Sequence, residues 1–153
     1  MDTSELINRL LGFALKFEDN KVVWDFVVLW NLFEHRICDD YFKPNEVDKY
    51  AEGISQDSID EVFSFFKNRY VSGSETNENF ESLFPANKTR KKEVADFLLM
   101  KESSALSYVT VSMLIVYRVR CNLFHGVKTI EMWEEQKELF KNANQLLLAI
   151  LYR

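Results

Sequence analysis

The chain has 153 residues, 47% of them apolar and 13 of them Phe, which excludes a disordered chain and suits one domain with one packed core. A net charge of −5 speaks against bulk electrostatic binding of nucleic acid. Four Gly and two Pro are few for a turn-rich β fold, so the composition predicts an all-α domain.

In chain order, the periodicity predicts a compact bundle of about six to seven helices. Residues 3–17 form the first, capped by Thr3 or Ser4. Asp19 or Asn20 caps a long second helix that runs to about Tyr41. Pro44 opens a short helix ending near Gly53. Ser55 or Asp57 starts the next, to about Val71. SGSETNENF (72–80) is a loop, and FESLF (80–84) at most one turn. Asn87 caps KTRKKEVADFLLMK. Ser103 or Ser104 caps a helix to His125, where Gly126 supplies a left-handed stop. Thr129 caps a last helix to about Tyr152. The best apolar run, VTVSMLIVY, has nine residues, short of the ~18 needed to cross a bilayer. The acidic start, MDTSELINRL, lacks the features of a secretory leader. Cys38 and Cys121 read as reduced core residues, so the expectation is a cytoplasmic protein.

Charge is unevenly spread. Residues 1–85 hold 8 Lys/Arg against 17 Asp/Glu, whereas residues 86–128 hold 8 against 3. An anionic ligand is drawn to the second segment. It contains the basic run TRKK (89–92), in which Arg90, Lys91 and Lys92 are either a solvated face or contacts to an RNA backbone, with Lys128 a further cation. Lys67 and Arg69, in FKNRY, read as exposed.

Two helices carry polar groups where a core is expected. On helix 21–41, at 100° per residue, Glu34 falls about 180° from Asp25, in the middle of the apolar face, with Asn31 about 60° to one side. A carboxylate there needs a cation or donor. It either orients two helices as a buried ion pair or holds a functional arginine. On helix 104–125, Arg118, Asn122 and His125 fall within about 40° of one direction, and Arg120 points about 200° away. The helix end favours a protonated imidazole and the arginines oppose it, so His125 is expected to titrate near neutrality. Such a histidine can give or take a proton, and an arginine can hold a phosphate in a fork of hydrogen bonds. The pair suits phosphodiester cleavage by an internal 2′-hydroxyl. The alternative is that the arginines and Asn122 cap the carboxyl end of this helix and bind Glu34, with His125 a boundary residue. Two histidines and two cysteines at unrelated spacings form no metal site, and no cofactor is expected.

The string Arg120-Cys121-Asn122-Leu123-Phe124-His125-Gly126 resembles the motif of the HEPN superfamily, an Arg followed four to six residues later by a His, often in a context such as R-N-x-L-F-H-G. The resemblance implies an all-helical domain and a metal-independent endoribonuclease, with Arg120 and His125 catalytic and Asn122 supporting. It implies an RNA substrate, tRNA among the possibilities, a homodimer with two Arg/His pairs around one cleft, and a role in toxin–antitoxin systems or antiviral defence, with an antitoxin protein as a partner. The helix bearing WNLFE (30–34) is similar to the family's earlier helix, so Glu34 or Asn31 is the polar group offered to the motif. Arg118 also satisfies the spacing to His125 and stays open as the motif arginine. Cys121 departs from the Asn, Asp or His common after that arginine. Val127 departs from the tyrosine that one toxin branch presents to a modifying antitoxin. The alternative function is a catalytically silent HEPN-like module binding nucleotide, RNA or a protein.

Overall fold

Helix α7, Tyr108–Phe124, is the axis of the molecule, and every residue from Val109 to Val116 is buried. A helix that is apolar all round must be enclosed on every side. The other helices are α1 Thr3–Leu11, α2 Lys21–Ile37, α3 Val47–Ala51, α4 Asp60–Tyr70, α5 Glu78–Leu83, α6 Lys91–Leu98 and α8 Lys137–Leu151, of which α1 has no buried residue. A computed structural model describes residues 2–14, 16, 18–101, 105–124 and 133–153. Among them the chain is all-α, with eight α-helices against the six to seven expected. The difference is chiefly FESLF, which belongs to a true helix, α5, capped by the Asn77 side chain accepting from the Phe80 N–H at 3.2 Å.

The predicted loop 72–80 is more ordered than expected. Val71–Ser72 (β1) pairs antiparallel with Glu75–Thr76 (β2), and Gly73 at φ 63° makes the turn. α1 stops at Leu11 instead of 17, because Gly12 adopts the left-handed conformation. α2 stops at Ile37 instead of Tyr41. Asp39 and Asp40 have φ of 49° and 80°, and the Asp40 N–H returns to the Glu34 carbonyl at 3.0 Å, a Schellman-type ending. α6 begins at Lys91, after Arg90 in the left-handed region at φ 66°. The described part of α7 starts from a reciprocal pair. The Ser107 hydroxyl accepts from Thr110 N–H, and the Thr110 hydroxyl accepts from Ser107 N–H. The predicted caps Ser103, Ser104 and Thr129 lie outside the described residues.

Two aromatic clusters fasten neighbours to α7, and a third ties α4 to α5. Trp30 and Phe33 of α2 meet Phe42, Tyr50 of α3 and Tyr117 of α7. Phe63 of α4 and Phe97 of α6 close on Tyr108. Phe66 and Tyr70 of α4 join Phe80 and Phe84 around α5. α2 packs most extensively on α8, with Phe26 against Phe140 at 5.3 Å. Among the described residues no helix is long and apolar enough to cross a membrane.

Cys38 and Cys121 are buried free thiols. Burial, then Glu34 and Asp39, push the Cys38 thiol up to about 12. A raised folded value means that the unfolded chain ionises first. Stability is therefore complete below the ordinary thiol value and declines as pH rises toward about 12. Urea midpoints measured at near-neutral and at strongly alkaline pH should show this decline, and Cys38→Ala should make it shallower.

Candidate functional site

The three described polar residues of the motif, Arg118, Arg120 and Asn122, divide into two faces of α7. On one, Arg118 is 8% exposed and Asn122 is 2% exposed. Being four residues apart they lie one above the other, and Arg118 Nη2 donates to Asn122 Oδ1 at 3.0 Å. Both then reach the carboxyl end of α5. Arg118 Nε donates to the Leu83 carbonyl at 3.0 Å, and Asn122 Nδ2 donates to the Ser82 carbonyl at 3.2 Å. The last carbonyls of a helix have no partner within it and carry its negative end, so a guanidinium and an amide satisfy both the geometry and the charge. The Arg118 guanidinium carbon also stands 5.9 Å from the Phe84 ring centroid. The pair thus caps the end of α5, not that of its own helix, and does not bind Glu34.

Arg120 occupies a different face. Its guanidinium lies 5.2 Å from the Phe124 ring, and its Nε is buried without a hydrogen-bond partner among the described residues. A buried donor with no acceptor costs about 1–3 kcal/mol, so the position carries an unmet demand for an acceptor or anion. Cys121, 6% exposed, points into the interior between the two faces. His125, Gly126, Val127 and Lys128 lie outside the described residues.

Glu34 is half-buried, as its place on α2 predicts, but its partner is not an arginine. Its Oε2 accepts from the Phe42 N–H at 2.9 Å. Because α2 ends four residues early, the chain folds back over it, and a backbone donor answers the carboxylate. Asn31 is exposed and turned away from α7.

The basic run is neutralised locally. Arg90 forks onto Glu93 at 3.2 and 2.7 Å, and its Nη1 donates to the Pro44 carbonyl at 3.0 Å. Lys91 pairs with Glu81 of α5 at 2.6 Å, and Lys92 with Asp96 at 2.8 Å. Arg90 is thus a strut between α6 and the chain ahead of α3, not a free contact, since α6 supplies its own carboxylates. Lys92 is the most open of the three. Among the described residues no three His, Cys, Asp or Glu side chains gather as metal ligands.

The cleft beside the α7 end is built by residues that sequence reasoning missed. It is narrow, with about 20 Å³ open to a water-sized sphere, between the ends of α4 and α7 and the starts of α5 and α8. Val119, Asn122 and Leu123 form its α7 wall, with Arg69, Asn79 and Gln136 as further polar groups. Arg69, expected to be exposed, is half-buried, with its Nη2 3.4 Å from Gln136 Oε1. Position 69 lies in the acidic segment 1–85, and nothing in the spacing links it to position 136.

No family model, no curated protein and no solved structure matches the chain.

Arg118→Ala strands the Leu83 carbonyl and the Asn122 amide in a buried site. It should cost roughly 3 kcal/mol of stability in urea unfolding. Arg118→Lys should recover only part of this, because an ammonium cannot serve both acceptors in the fork geometry.

Proposed function

We propose that the chain is a metal-independent endoribonuclease of the HEPN type, acting as a homodimer in the cytoplasm. What supports this reading is the contrast between the two arginines of YRVRCNLFHG. Arg118 is consumed by α5, whereas Arg120 keeps a buried Nε with no partner among the described residues, five residues before His125. A half-buried guanidinium with one nitrogen left unsatisfied is suited to an oxyanion. Arg120 is therefore the motif arginine, and Arg118 together with Asn122 positions the helix that carries it.

In the proposed reaction the ribose 2′-oxygen attacks the adjacent phosphorus, and His125 takes its proton. The new 2′-O–P bond forms as the P–O5′ bond breaks. A proton returned to the 5′-oxygen completes cleavage and leaves a 2′,3′-cyclic phosphate. Arg120 stabilises the extra negative charge on the phosphorane. Five residues of regular helix separate Arg120 and His125 by about 140°. A second copy that brings its own pair to the same cleft overcomes that divergence. Lys128 and the exposed Lys92 supply backbone contacts. The substrate class is single-stranded RNA, tRNA loops included, and an antitoxin protein is the expected regulator in a toxin or antiviral setting.

The purified protein, incubated with mixed tRNA in EDTA, should yield fragments ending in 2′,3′-cyclic phosphate. His125→Ala and Arg120→Ala should each lower the rate at least ~100-fold. Equal cleavage by all three proteins sinks the assignment. A folded wild type that binds RNA without cutting it supports the catalytically silent module instead.

A further inference from the structure

Helix α1 presents an apolar stripe to solvent. Leu6, Ile7 and Leu10 share one side of the helix, Phe13 continues the stripe past the Gly12 stop, and Leu10 is 87% exposed. No residue of α1 is buried, and nine residues are too few for a helix to persist by backbone bonding alone. A second uncovered apolar surface lies between α2 and α8. Val28, Leu29 and Leu148 line a groove there with Asp25 and Asn144, and its free volume is about 330 Å³. Val28 is 58% exposed and Leu148 40%. That room admits side chains the size of leucine. Stripe and groove both stay open within one copy.

Charge sets the direction in which they fit. α1 carries Glu5 and Arg9 four residues apart, and α2 carries Lys21 and Asp25 four residues apart beside the groove. Laid parallel, the two helices set Glu5 against Lys21 and Arg9 against Asp25. Laid antiparallel, they set like charges together. The parallel register also brings Leu10 level with position 26, between Asp25 and Leu29 of the groove. The charges of α1 and its cap are Asp2, Glu5 and Arg9, with no cationic excess to favour an anionic lipid surface.

We infer that two copies of the chain exchange their α1 helices, each laying Leu6, Ile7 and Leu10 into the α2–α8 groove of the other. In a two-fold pair each chain gives one helix and receives one, so both uncovered surfaces close together. The inference is independent of the ribonuclease reading, which calls for two chains but not for this contact.

Sedimentation equilibrium of the full chain at micromolar concentration should find a dimer. Leu10→Asp and Val28→Asp, on opposite sides of the contact, should each weaken it at least ~100-fold, with the chain still folded by circular dichroism. Tyr41→Asp, at an exposed position past the end of α2, should leave it as it is. Arg9→Glu alone should weaken the dimer several-fold, and Arg9→Glu combined with Asp25→Arg should restore it. Oxidation of the double variant Leu10→Cys/Val28→Cys identifies the occupant of the groove. A covalent dimer supports the exchange. A covalent monomer, in which α1 has folded onto its own groove, overturns it, as does the absence of a cross-link. A monomeric wild type also overturns it. A dimer indifferent to both aspartate variants removes this inference alone, and an α1-exchanged dimer that never cleaves RNA removes the nuclease reading alone.

Discussion

The grip of Arg118 and Asn122 on the carboxyl end of α5 fixes the geometry of this molecule's polar half. α5 has only six residues, too few to persist by backbone bonding alone. It is held by Phe80 and Leu83 in the core, by the Asn77 cap at its start and by two carbonyl bonds at its finish. Because the donors belong to α7, the same bonds set the end of α7 against α5. The walls of the cleft and the partner of Lys91 follow from that placement. Without the grip, α5 would retain its apolar contacts but lose its orientation.

A core helix with an asparagine and two arginines in its last turns thus has a physical explanation. One arginine and the asparagine complete another helix's hydrogen bonds. The other arginine has no structural duty of that kind. Similar use of arginine recurs in the chain. Arg153 reaches back to the carbonyls of Tyr50 and Glu52 at the end of α3, and Arg90 to that of Pro44. Arg118 and Arg153 use the guanidinium fork on the carboxyl ends of short helices, and Arg90 uses it on the chain ahead of α3. Against that pattern, the Nε groups of Arg69 and Arg120, unmet among the described residues, stand apart.

Much of the fold was legible in the sequence because a 3.6-residue period survives any detail of packing. The positions of α2, α4, α6, α7 and α8 follow from it. Helix ends were less legible. α2 stops early because two successive aspartates take left-handed conformations, which composition does not announce. That early stop also changed the meaning of Glu34. Its rotation onto the inner face was visible, but its partner, the Phe42 N–H, was not, since side-chain patterns carry no record of backbone donors. The basic run was misread for a related reason. Glu93 and Asp96 lie within helical reach of Arg90 and Lys92, yet Glu81 joins Lys91 only through the fold. The cleft was invisible because it draws on four separated segments.

α1 stands apart from this network. Its side chains include no buried residue, and its order comes from the Asp2 cap, the Glu5–Arg9 pair and the Gly12 ending. Denaturant sensitivity follows the surface exposed on unfolding, and α1 has little to expose. Within a single copy the helix therefore melts as its own cooperative unit, at a free energy set by local bonds. In that unpaired chain its amides should exchange with solvent far sooner than those of α7, and a global unfolding curve reports on residues from α2 onward.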